Sequence, residues 1–161
     1  MLIGIISDTH DRSLRAASAV KLLHEASVEA IVHCGDICSP AILALFAETP
    51  VYFVLGNNDD DAELHQASEL TKHLHYLGQG GIIELGGKRL GITHGHLHRV
   101  ISELLQQAPD YLFSGHSHCA SNEVIRGVRC INPGALHRAG EYSVATLDLK
   151  TDELRFLPVP S

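Results

Sequence analysis

Seven side chains able to bind a metal ion, Asp8, His10, Asp36, Asn57, His94, His116 and His118, stand at or just beyond the ends of short apolar runs. They offer carboxylate, amide and imidazole donors and no thiolate, a set that suits Mn, Fe, Zn, Co or Ni better than a structural zinc site. Mn is the first expectation, with Ni, Co, Fe, Zn or Mg as the others. Asp8 and His10, like His116 and His118, are two positions apart in a turn and can reach one ion or two neighbouring ions. Seven donors exceed what one tetrahedral ion uses, so two divalent ions are expected, and Asp36 has the two oxygens needed to bridge them. Two such ions with Asp8 and Asp36 leave a net charge of about +2, which attracts phosphate oxygens. Paired ions can also turn a bridging water into a hydroxide for in-line attack on phosphorus.

The elements that must position these residues read as follows. Leu2 to Ile6, Ala30 to His33 and Val51 to Leu55 are apolar runs bounded by Gly, Asp and Pro, hence buried strands. Ala16, Ala19, Val20, Leu23 and Ala26 recur at helical spacing between the first two. Ser39-Pro40 is a helix start, and that short helix is expected to end before Pro50. This gives a β-α-β-α-β half, parallel and right-handed. Ile82 to Leu85 and Lys88 to Thr93, joined by Gly86-Gly87, predict a hairpin with a primed turn. A helix follows over Arg99 to Gln107, then strands at Tyr111 to Ser114, Asn122 to Ile125, Val128 to Ile131, Ser143 to Leu149 and Leu154 to Leu157. The expected architecture is α/β, with two sheets face to face and helices outside, in one domain over residues 1–161. In such sheets ligands bind outside the carboxyl ends of the strands, where the donors fall.

Composition excludes several other classes. With 12 Lys plus Arg and a formal charge of −7, general nucleic-acid binding is not expected, because phosphate backbones are held by basic clusters. No apolar stretch approaches the ~20 residues of a membrane span, and Met1-Leu2 leads directly into the first strand without a basic leader. A cytoplasmic location without membrane association is expected. Cys34, Cys38, Cys119 and Cys130 lack Cys-x-x-Cys spacing, which argues against structural zinc and a disulfide framework.

Asp8-x-His10, Gly35-Asp36, Gly56-Asn57-Asn58-Asp59, His94-Gly95 and Gly115-His116-x-His118 resemble, in order and spacing, the motifs of the calcineurin-like metallophosphoesterases. The resemblance spans essentially the whole chain. The short length and the Ile131-Asn132-Pro133-Gly134 loop are similar to the compact YfcE-type phosphodiesterases. It implies a four-layer α/β/β/α sandwich with two mixed sheets. It also implies one ion held by Asp8, His10, Asp36 and His118 and a second by Asp36, Asn57, His94 and His116, a small phosphoester substrate, and a homodimer.

Asn58 departs from the His that many members carry as a donor to the leaving oxygen, and Asn cannot donate a proton at neutral pH. Diesters and good leaving groups are therefore expected over alkyl monoesters, and Asn58→His is expected to raise monoesterase turnover. The catalytic set is read as Asp36, Asn57, Asn58 and His96. His96 and His98 either touch substrate or are solvated. His33 reads as a packed or supporting histidine. Arg12 is either a substrate-phosphate contact or a surface arginine at a helix start. Asp59, Asp60 and Asp61 are read as capping the next helix, His24, His65, His73 and His75 carry no role, and Asn132 to Gly134 shape a turn at the rim. Ala135 stands where relatives often carry Ser. The competing reading is a protein-binding scaffold of the same fold, similar to Vps29. A metallo-β-lactamase reading of His94-x-His96-x-His98 fails because Arg99-Val100 stands where Asp-His belongs.

Overall fold

The computed structural model describes residues 1–46 and 49–160. The elements run β1 (Leu2–Ile6), α1 (Ser13–Glu25), β2 (Ala30–His33), α2 (Pro40–Leu43) with a 3-10 turn (Ala44–Phe46), β3 (Val51–Phe53) and α3 (Asp61–Glu69). They continue with β4 (Leu74–Tyr76), β5 (Gly80–Leu85), β6 (Lys88–Thr93), α4 (His98–Gln106), β7 (Tyr111–Phe113), β8 (Ser121–Ile125), β9 (Val128–Asn132), β10 (Ser143–Asp148) and β11 (Leu154–Pro158). One sheet has the order β11-β10-β1-β2-β3-β4 and the other β5-β6-β7-β9-β8. Both are mixed: β1 to β4 run parallel, as do β6, β7 and β9, while β10, β11, β5 and β8 pair antiparallel.

Alternation along the strands builds four layers. Ile3 and Ile5 of β1 pack between the sheets with Val32, Leu90, Ile92, Phe113, Ala145 and Leu147. Ile6 faces the other way, into a core shared with Ala16, Val20 and Leu23 of α1 and with Phe46 and Phe53. Leu23 presses so closely on β1 that a Cβ on Gly4 would sit 3.0 Å from its methyl carbons, which is why a glycine interrupts that run. A third core lies outside the second sheet, where Val100, Leu104 and Leu105 of α4 cover Leu112 and Val128. Trimming a fully buried ring such as Phe53 to alanine should cost about 3–5 kcal/mol.

Local differences from the expected elements have identifiable causes. The β5–β6 turn is primed as predicted, with Gly86 at φ 56° and Gly87 at φ 75°, but the strand begins two residues earlier, at Gly80 paired with Thr93. Leu74–Tyr76 adds a parallel edge strand that three residues with no alternation could not announce. Ser39 precedes α2 without capping it, because its Oγ donates to Asp11 Oδ1 at 2.6 Å. That helix ends before Pro50 as expected, closing at Leu43 and passing into the 3-10 turn. Of the acidic run, Asp60 caps α3 by accepting from Glu63 N at 3.0 Å, and Asp61 lies in the first turn. Asp59 does something else: its two oxygens accept from Cys38 N and Gly56 N, both at 2.7 Å, and tie two loops together.

Candidate metal centre

β1, β2 and β3 of one sheet and β6 and β7 of the other all release their chains toward one edge of the sandwich. The loops they feed are stitched to each other: Asp8 N donates to Gly35 O and His10 N to Asp36 O, both at 3.0 Å. Gly115 N donates to His94 O at 2.9 Å, and His116 N crosses between sheets to Asp8 Oδ2 at 3.1 Å. Such close approach needs glycine. A Cβ on Gly115 would sit 1.9 Å from Ser7 Oγ, and one on Gly56 would sit 2.1 Å from Asp36 Oδ1. The residues themselves bend sharply: Asp8, His10, Asp36, His116 and His118 all have φ between 43° and 66°. Non-glycine residues hold that left-handed conformation only where surrounding structure over-determines it, and such residues cluster at functional sites.

The donors converge as two overlapping groups. Asp8, His10 and His118 form one and Asp8, Asp36 and His94 the other, each with ligand atoms within 4.8 Å of one another. His118 Nε2 lies 3.1 Å from Asp8 Oδ1, His10 Nε2 3.2 Å from Asp36 Oδ2, and His94 Nε2 3.5 Å from the same Asp36 oxygen. His116 is exposed, with its ring 5.1 Å from that of His94. Asn57 is exposed in the loop after Gly56.

Protonation is set by the partners behind the site. His94 Nδ1 lies 2.8 Å from Cys34 O, an acceptor only, so Nδ1 carries the hydrogen and Nε2 turns to the carboxylates. Burial works to lower the pKa of His94, but Asp36 and Asp8 outweigh it and raise it, so a proton competes with any cation there. Burial likewise works to raise Asp36, yet His94 and the two Asn58 donors hold its carboxyl below the usual carboxylate range. Cys38 lies beside the site, with Sγ 3.8 Å from His10 Nδ1. Burial, then Asp59 and Asp11, push its thiol up to about 12, which leaves it protonated and a poor ligand.

These residues fit a metal ion by an independent criterion. Asp8 Oδ1, His10 Nε2 and His94 Nε2 are buried and make no well-formed hydrogen bond among the described residues, with only the carboxylates and imidazoles of the site itself 3.1–3.5 Å away. Leaving three such atoms unsatisfied would cost a few kcal/mol in total unless something binds them.

Other histidines sort clearly. His33 is buried in a supporting position: Gly35 N donates to its Nδ1 at 3.2 Å, so Nε2 carries the hydrogen and meets Thr9 Oγ1 at 3.2 Å. His96 stands beside the second group, its ring 5.2 Å from His94 and 6.0 Å from His116, with a buried, unpartnered Nδ1. Burial, then His94 and His116, lower its pKa. His98 is exposed at the start of α4. His65 and His75 stack on Tyr76 and Tyr52, and His24 pairs with Thr49. Sequence reasoning missed His137, whose ring lies 4.6 Å from that of His10. It follows the Asn132-Pro133-Gly134 turn rather than an apolar run, and only its nearness in sequence to that turn could have flagged it.

Two layers of helix around two mixed sheets, with Asp and His donors gathered at one edge, define a metallophosphoesterase fold. The chain belongs to the calcineurin-like phosphoesterase superfamily, whose domain matches residues 1–152. It is 32% identical to the probable metallophosphoesterase YsnB of Bacillus subtilis, over 97% of this chain and 90% of that one. An archaeal phosphodiesterase of solved structure superposes with a TM-score of 0.87 at 27% identity, over 98% of this chain and 99% of that one. Vps29 of Entamoeba histolytica, solved in complex with zinc, shares the fold at a TM-score of 0.67 and 23% identity, over 98% and 91%.

Proposed function

We propose that the chain is a metal-dependent phosphodiesterase with two divalent ions, Mn foremost, acting on a small phosphoester. The observation that carries this reading is the convergence of the orphaned atoms Asp8 Oδ1, His10 Nε2 and His94 Nε2 from both sheets. Asp8, His10, Asp36 and His118 would hold one ion and Asp36, Asn57, His94 and His116 the other. Bound there, the ions would supply an activated water for in-line attack and neutralise the phosphate.

The chain's own residues do the orienting. Asn58 fixes both Asp36 oxygens, so the shared carboxylate does not swing. Cys34 O fixes the tautomer of His94. His96, a neutral imidazole beside His94 and His116, would donate a hydrogen bond to a phosphate or leaving oxygen. Diester preference follows from Asn58, whose amide is engaged by Asp36 and has no proton to give an alkoxide.

A cytoplasmic location belongs to the same reading, supported by four free cysteines. No described helix is long and apolar enough to cross a membrane. The scaffold reading draws on edge strand β8, where Val124 is 72% and Ile125 42% exposed. The gathered donor set favours the enzyme.

Metal-stripped protein reloaded with Mn, Ni, Co, Zn or Mg and offered bis(4-nitrophenyl) phosphate and 4-nitrophenyl phosphate tests the proposal, beside Asp36→Asn. Two ions per chain, diester turnover, and loss of both in the variant are expected. Fewer than two ions at saturation, or full metal-dependent activity in Asp36→Asn, would overturn the dinuclear reading. Bound metal with no ester hydrolysed would favour the scaffold.

A further inference from the structure

Arg12 and His137 are far apart in sequence and joined in space: Arg12 Nε donates to His137 Nδ1 at 3.1 Å. This contact leaves both terminal nitrogens of the guanidinium available. The His137 ring packs 4.6 Å from His10 and 6.4 Å from His118, so a single imidazole separates Arg12 from the metal-ligand candidates. That placement is fixed from behind. Leu136 N donates to Asp8 O at 3.2 Å, and Arg15 Nη1 donates to Leu136 O at 2.6 Å while its guanidinium lies 3.6 Å over the Tyr142 ring.

Beyond Arg12 runs a groove of about 490 Å³, lined in part by Asp11, Arg12, Ser13, Leu14, Arg15 and Ser18. It holds two guanidinium groups against one carboxylate, and Asp11 already accepts from Ser39 Oγ. Arg15 is committed to Leu136 and Tyr142, which leaves Arg12 as the open cation. Leu14, 89% exposed, adds an apolar surface beside it. None of these side chains serves the metal centre itself.

We propose that this groove is the leaving-group subsite, taking the departing alcohol of a diester whose apolar or aromatic body carries an anionic group of its own. Arg12 is the specificity-determining contact and His137 the positioning residue. The proposal rests on the phosphodiesterase reading above. Arg12 is held one imidazole ring away from His10, beside the metal-ligand candidates rather than among them, which suits contact with a group beyond the scissile phosphate. The reaction keeps its balance: water forms the new P–O bond, the P–O bond to the alcohol breaks, and the alcohol oxygen takes up the proton.

Two ligand pairs test this on the metal-loaded full chain. Turnover is compared for phenyl 4-nitrophenyl phosphate and its analogue with a carboxylate on the nitrophenyl ring. Calorimetric affinity is compared for phenylphosphonate and 4-carboxyphenylphosphonate. The carboxylate should improve kcat/KM by about tenfold, mainly through KM, and tighten binding by a similar factor, as a charge-assisted contact does. Arg12→Gln should bring both ratios near one, Arg12→Lys should keep part of them, and His137→Phe should reduce them while preserving a ring against His10. Hydrolysis without carboxylate preference, or ratios that survive Arg12→Gln, would overturn the subsite and leave the phosphodiesterase reading standing. Absence of hydrolysis of either ester would overturn that reading and the subsite with it.

Discussion

Asn58 holds both oxygens of Asp36, its backbone N–H donating to Oδ1 and its side-chain amide to Oδ2, each at 2.9 Å. Groups that orient a ligand from behind contribute about 10–100-fold to metal affinity. Asn58→Ala should therefore weaken metal binding by about tenfold, and the loss should appear in a metal titration before it appears in thermal stability. Asn58→His removes the amide contact to Asp36 Oδ2 and keeps only the backbone one, so any gain in monoester turnover should come with weaker metal binding.

Gly56→Ala tests the crowding around the same carboxylate. An added Cβ would meet Asp36 Oδ1 at 2.1 Å and Asp36 N at 2.4 Å, so the Asp36 loop must move. A cost of about 1–3 kcal/mol in urea unfolding is expected, as for other overpacked sites. A drop in bound metal should accompany it. Unchanged metal content would show that the two loops are looser than their spacing indicates.

Asn132 secures the loop bearing His116 and His118. Its amide donates to Gly115 O at 2.8 Å and Ser117 Oγ at 3.1 Å, and its oxygen accepts from Gly134 N at 3.0 Å. Asn132→Ala should cost about 1–3 kcal/mol through the buried groups it leaves unpaired. It should also shrink the rise in melting temperature that added Mn produces, because a loosened His118 binds less well.

His33 makes the metal-free protein acid-sensitive. Burial first, then His94, push its pKa down to about 3 from the ordinary 6.5. Between those values the unfolded chain binds the extra proton, so stability is full above about pH 6.5 and falls as pH drops toward about 3. The slope for one such proton is at most about 1.4 kcal/mol per pH unit. Protonation would also set an N–H against the N–H of Gly35. Urea unfolding at stepped pH should show this slope in the wild type and a flatter one in His33→Gln. Parallel curves would assign the acid sensitivity to other groups.

The strands that carry the donors were readable because each is an apolar run closed by Gly, Asp or His, a local signal. Their assembly into two sheets was expected, but the edge strand Leu74–Tyr76 was not, because it pairs with β3 through non-local contacts that three residues do not announce. The convergence of the candidate donors Asp8, His10, Asp36, His94 and His118 was legible from residue type and spacing. Asp59 and His137 were not. Asp59 sits in an acidic run that reads as a helix cap, and its true partners, Cys38 N and Gly56 N, include one 21 positions away. His137 owes its place to Leu136 N and Asp8 O, a contact between opposite ends of the chain.

The left-handed turns at Asp8, His10, Asp36, His116 and His118 have an evolutionary consequence. Each is a position where glycine would relieve roughly 1 kcal/mol of backbone strain. Were the chemistry lost, the loop contacts of the Asp8 and Asp36 carboxylates would be the main opposition to replacement of these side chains. On the proposed function, the chemistry these five side chains serve is what holds them against that strain, and a lineage that lost the reaction would shed them first.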